Sequence, residues 1–132
     1  MRLLLDTHVF LWFISGSPRI PSRLRDSIRT RENDVYLSVV SVWEASIKHR
    51  LGKLPLPEPP GVYLPAQRQR HEIASLPIEE SSIAHLDRLP LLHRDPFDRL
   101  LICQAIEHQL TLATVDEAMQ PYPVEIHRID RT

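Results

Sequence analysis

Short, wholly apolar runs alternate along this chain with longer stretches in which apolar residues recur every three or four positions. The runs Arg2–Leu5, Val35–Val40, Glu72–Leu76, Leu110–Val115 and Val124–Ile126 predict strands, because a continuous apolar run suits a strand covered on both faces. The stretch His8–Ile14, closed by Gly16, predicts a short helix. Pro21–Arg31 places Leu24 and Ile28 four apart among arginines and predicts an exposed amphipathic helix. Further helices are predicted over Ser41–Leu51 with Gly52 as the stop, Gly61–Arg70, Glu79–Leu86 with Ile83 and Leu86 on one face, and Pro96–Gln109. Lys53–Pro60 is proline-rich and reads as a loop. Strands alternating with helices imply an α/β sandwich around a mainly parallel sheet. In such sheets the functional crevice lies beyond the carboxyl ends of the strands.

That rule draws attention to the acids. Asp6 follows the first strand and Asp116 follows the late strand Leu110–Val115. Glu44 falls in the first turn of the helix after the second strand, and Asp98 in the first turn of the long helix, with Asp95 just ahead of it. Each has a purely structural reading. Ser41-x-x-Glu44 and Thr114-x-x-Glu117 match the capping box, the second leaving Asp116 inside a first turn. Asp95-Pro96-Phe97-Asp98 reads as an N-cap, a proline at the first helical position and an acid favoured by the helix dipole. Asp6 can cap the helix that follows it. Together the acids say more. Four like charges gathered in a cleft repel unless a counter-charge sits among them. Hard oxygen donors select Mg²⁺, with Mn²⁺ as substitute, and such an ion polarises a phosphoryl oxygen and activates water.

Composition narrows the alternatives. The 132 residues suit one domain, 1–132. With 42% hydrophobic and 25% charged residues the balance is globular, and the formal charge of −1 gives no overall attraction to nucleic acid. The lone Cys103 precludes an internal disulfide, which fits a reducing cytoplasm. The start of the chain is too short and too early charged for a signal peptide, and no run reaches the ~20 apolar residues of a membrane span. Seven histidines form no H-x₃₋₅-H or H-E-x-x-H spacing. Asp6-Thr7-His8 lacks the second aspartate of an aspartyl-phosphate phosphatase, and no G-x-S-x-G elbow is present. Three glycines leave no P-loop or dinucleotide fingerprint. Arg19, Arg23, Arg25, Arg29 and Arg31, and the group Lys48, Arg50 and Lys53, read either as solvated faces or as phosphate contacts. Arg99 can pair with a carboxylate or hold a phosphate. His8 reads as a surface residue or a substrate contact, and Trp12 and Trp43 as core or interface residues.

The blocks LLLDTHVFLW, SVVSVWEASIKHRLGKL and HRDPFDRLLICQAIEHQLTLATVDEAM together resemble the PIN-domain family, above all its VapC-like bacterial toxins. The resemblance runs in order from Arg2 to about Ile126. It implies a PIN-like three-layer sandwich, an acidic metal pocket holding Mg²⁺, and endonucleolytic cleavage of RNA by the toxin of a type II toxin–antitoxin pair. Asp6, Glu44, Asp98 and Asp116 match the family's four acids. Asp95 then caps or supports, and Thr7 and Thr114 are the hydroxyls near the site. The resemblance also implies a cognate antitoxin whose tail covers the acidic site, and a homodimer. Two other readings stay open: a catalytically silent binding module gripping a partner peptide through arginine–carboxylate pairs, and a nuclease of the same fold acting on DNA.

Overall fold

The computed structural model describes residues 1–90 and 95–127. Strand β1 (Arg2–Leu5) leads into helix α1 (Thr7–Ser15), α2 (Ser22–Arg29) and β2 (Asp34–Ser38). Helices α3 (Val39–Arg50) and α4 (Pro60–Arg70) follow, then β3 (Ala74–Leu76) and α5 (Glu80–Ile83), which passes into a 3₁₀ turn at Ala84–Arg88. Helix α6 (Pro96–His108), β4 (Thr111–Ala113) and a 3₁₀ turn at Glu117–Met119 complete the described elements. His93 and Arg94, at the head of the third block, lie outside the described residues.

The four strands pair in parallel in the order β3-β2-β1-β4. Side-chain alternation along them feeds two cores. Leu3, Leu5, Val35, Leu37 and Ala113 face one way, against Val9, Phe10, Leu24, Ile28 and Leu64 of α1, α2 and α4. Leu4 and Leu112 face the other, against Leu101, Ile102 and Ala105 of α6. Helices therefore cover both faces, the three-layer α/β sandwich expected. Full burial of a leucine is worth about 1.5–3 kcal/mol, and Leu3, Leu4, Leu5, Leu101 and Leu112 are all fully buried. Among the described residues no helix is long and apolar enough to cross a membrane.

Several boundaries differ from expectation, each for a physical reason. The apolar run Val35–Val40 is strand only to Ser38. Val39 and Val40 form the first turn of α3, whose cap is Ser38: its hydroxyl accepts from the Val40 N–H at 3.0 Å. Val40 packs into the α6 core, and that burial overrides its strand preference. Ser41 is thus no N-cap, and the capping-box reading of Glu44 falls. Glu72 adopts a left-handed φ of 57°, so β3 starts only at Ala74. The expected strand Val124–Ile126 is a single parallel bridge between Leu112 and Ile126. Helix α4 runs through Pro65, with Pro60 at its start, where its missing N–H costs nothing. Gly16, at φ 66°, and Gly52, at φ 75°, end α1 and α3 as expected.

Candidate active site

A sheet ordered β3-β2-β1-β4 reverses its direction of growth between β1 and β4. A crevice at such a switch point is where open α/β sheets bind ligands. Asp6 is the residue after β1, its N–H bonded to Ala113 O of β4 at 2.9 Å. Asp116 lies just past β4. A crevice of about 430 Å³ opens here, lined by Asp6, Glu44, Asp95, Asp98 and Asp116 together with Lys48, Arg19, His8 and Trp12. All four acids expected at the site therefore share one crevice.

Asp6 is buried, and its side chain does not cap α1. Thr114 Oγ1 donates to Asp6 Oδ2 at 2.8 Å and accepts from the Asp116 N–H at 3.0 Å. One hydroxyl thus couples the two strand ends. Asp116 itself caps the 3₁₀ turn, accepting from Ala118 N–H at 3.0 Å, so the capping box expected at Thr114 and Glu117 is absent. Burial raises the Asp6 carboxyl above its ordinary value, and the negative charge of Glu44 adds to that. The Thr114 hydrogen bond and His8 oppose the rise without cancelling it.

Glu44 is buried in the interior of α3. Thr7 Oγ1 lies 2.7 Å from Glu44 Oε1 and 2.8 Å from Ser41 Oγ. A hydroxyl has one proton. With the carboxylate taking it, Thr7 accepts from Ser41, and both hydroxyls are satisfied. Lys48 Nζ donates to Glu44 Oε2 at 2.5 Å. Partial burial pulls the Lys48 ammonium down, yet Glu44, Asp95 and Asp98 hold it above its usual range.

Asp95 caps α6 as the sequence suggested, with Oδ1 accepting from the N–H groups of Phe97 and Asp98 at 2.9 and 3.1 Å. This sets buried Asp98 in the first turn, facing the crevice. The edge of Phe97 meets the ring of Trp43, centroids 4.9 Å apart, which clamps α6 against α3 and so Asp98 near Glu44. Arg99 donates to Pro90 O at 3.1 Å and is not among the crevice-lining residues.

Gln104 is the support residue that the sequence reading missed, while that reading makes Ser41 only a helix cap and Lys48 only a solvated or phosphate-binding base. Gln104 is fully buried, with Oε1 accepting from Ser38 Oγ at 2.5 Å and Nε2 donating to Pro77 O at 3.1 Å. It ties the end of β2 to α6 and to the segment after β3. Lys48 had a readable signal, a base four residues after an acid on one helix face.

Five carboxylates against the side chains of Arg19 and Lys48 leave the crevice strongly negative. Among the described residues no three Asp, Glu, His or Cys side chains already enclose a metal position. Two of the carboxylates are engaged instead with Thr7, Lys48 and Thr114. The donor set nevertheless fits a hard divalent cation: it is all oxygen, negative in excess and partly dry.

The family model of the PIN domain matches residues 3–124, and the chain belongs to that family. It is 38% identical over 61 residues to Ribonuclease VapC16 of Mycobacterium tuberculosis, a match covering 46% of this chain and 43% of that protein. The chain therefore matches less than half the length of this curated relative. Its fold is similar to that of VapBC2 from Rickettsia felis, solved bound to a DNA fragment from their promoter (TM-score 0.71, 17% identity, 96% of each chain covered). It is also similar to FitAcB from Neisseria gonorrhoeae (TM-score 0.62, 22% identity, 96% of each chain covered).

Proposed function

We propose that this chain is a metal-dependent endoribonuclease and the toxin of a type II toxin–antitoxin pair, acting in the cytoplasm. The observation that carries the reading is the convergence of Asp6, Glu44, Asp98 and Asp116, the first three buried, on one crevice at the switch point of the sheet. The likeness to Ribonuclease VapC16 supports RNA as substrate, and the fold shared with VapBC2 supports a protein partner. In this reading the four acids hold Mg²⁺ or Mn²⁺. A bound divalent ion supplies Lewis-acid polarisation of a phosphoryl oxygen and acidifies a water. Thr114 fixes the Asp6 carboxylate against the Asp116 loop, and Thr7 fixes Glu44. Asp95 holds α6 so that Asp98 faces inward. Arg19, exposed at the rim, meets an incoming phosphate and offsets its repulsion from the acids.

The partner half rests on a row of exposed apolar residues, Val39, Trp43, Ile47 and Leu51, repeating every four positions along α3. A groove of about 370 Å³ lined by Val39, Val42, Trp43 and Pro65 runs beside it. An amphipathic helix of an antitoxin fits such a surface.

The test is RNA cleavage by purified protein with Mg²⁺ or Mn²⁺ and with excess chelator. Cleavage should require the metal and return when it is restored. Undiminished cleavage in chelator overturns the metal role. Absence of cleavage with either ion, alongside tight binding of an arginine-bearing peptide, favours the silent binding module.

A further inference from the structure

We infer that Lys48 is the resident counter-ion of the acidic crevice, holding the carboxylates together when no divalent cation is bound and yielding Glu44 Oε2 when one enters. The inference rests on the metal reading above and adds to it a competition within the chain itself.

The pair differs from an ordinary ion pair on a helix surface. Exposed pairs four residues apart stabilise only weakly, since water screens both partners. Here the acid is buried: the Glu44 side chain is 3% exposed and that of Lys48 34%. The ammonium reaches down from the rim to a carboxylate that solvent does not reach. The charges of Asp95 and Asp98 act on the same ammonium, so it answers three acids, one in α3 and two at the start of α6. Their mutual repulsion would otherwise be uncompensated in a poorly hydrated space.

The two ends of the pair also differ in freedom. Glu44 is held at Oε1 by Thr7, which Ser41 supports in turn. Lys48 hangs on a flexible four-carbon stem with a third of its surface in water. If one partner must leave, it is the lysine. A divalent ion brings twice the charge and takes carboxylate oxygens at a shorter distance, ~2.1 Å for Mg²⁺. Ammonium and metal cannot both take Glu44 Oε2 in full. The apparent metal affinity is therefore the intrinsic affinity reduced by the occupancy of the lysine, and the metal-free protein keeps a cation of its own among the clustered acids.

The test compares wild type, Lys48→Gln and Lys48→Arg by melting in chelator and by calorimetric titration with Mn²⁺. Lys48→Gln should melt lower than wild type in chelator, bind Mn²⁺ about three- to tenfold more tightly and gain more melting temperature from saturating Mn²⁺. Lys48→Arg, which keeps the charge, should stay near wild type in all three. Equal or weaker Mn²⁺ binding by Lys48→Gln, with wild type binding normally, overturns the exchange and leaves the metal reading standing. Binding by neither protein overturns both. An unchanged melting temperature in chelator overturns the counter-ion role.

Discussion

Two cavities of about 430 Å³ lie at opposite ends of the sheet and carry opposite charge. One is the acidic crevice beyond the carboxyl ends of β1 and β4. The other opens ahead of β2 and β3, lined by Phe13, Arg29, Arg31, His71 and Glu72. At the basic end Arg29, Arg31, Arg70 and His71 are all exposed. Arg29 and Arg70 close α2 and α4, where the helix dipole favours cations, and Arg29 also lies over the Phe13 ring, 5.9 Å from its centre. Partial burial, then Arg70 and Arg29, press the His71 imidazole below its ordinary value. At the acidic end Asp6, Glu44 and Asp98 are buried, and Asp6 and Glu44 are bonded to hydroxyls or a lysine. Like charges left in water cost little, whereas like charges removed from it cost several kcal/mol unless something compensates. The basic end is explained by its own helices. The acidic end has fewer cations than acids, with Lys48 and Arg19 against five carboxylates.

The sharpest way to press this contrast is Asp6→Asn. RNA cleavage should fall more than about a hundredfold, a loss of ~2.7 kcal/mol in transition-state stabilisation, while the fold persists. The Asp6 carboxyl is raised above its ordinary 3.8, so between the unfolded and folded values the native state holds more protons than the unfolded state. The Asp6 penalty is then fully present above the raised value and disappears as pH falls through that window. Asp6→Asn removes the penalty, so in chelator at neutral pH the variant should melt at or above wild type. Its stability should also gain less from acidification than wild type does. Cleavage at the wild-type rate, or a clear drop in melting temperature, would break the contrast.

A smaller effect is expected at Thr7→Val, which strips Glu44 Oε1 of its donor and Ser41 of its acceptor. Unpairing a buried polar group costs about 1–3 kcal/mol, read as a lower midpoint in urea with an unchanged slope. An unchanged midpoint would mean the hydroxyl pair contributes nothing. The least effect belongs to the basic end. Arg31→Ala with Arg70→Ala should shift stability by no more than about 0.5 kcal/mol and leave cleavage unaltered. A large loss of cleavage there would place RNA contacts at the far rim and dissolve the distinction.

Much of the acidic end was readable from the chain. Asp95-Pro96 announced the start of α6, since an acid cap followed by proline has one natural setting. Asp6 and Asp116 were placed because apolar runs end where they begin. The start of α3 was not readable. Ser38 and Ser41 both precede helix-compatible residues, and Val39-Val40 suits a strand by local preference. Packing of Val40 against α6 decided the matter, and no local pattern carries that contact. The reach of Lys48 into the crevice likewise depended on how far Glu44 is buried, a property of three packed layers rather than of the spacing.

The parallel order of the sheet has a consequence for timing. Asp6 and Asp116 lie far apart in the chain, and β4, which precedes Asp116, docks beside β1 only once α6 has crossed over. Pairing between such distant segments is slow to form. A chain in which β4 has not yet docked therefore holds an unfinished set of acids, and any chemistry needing all four waits on that pairing.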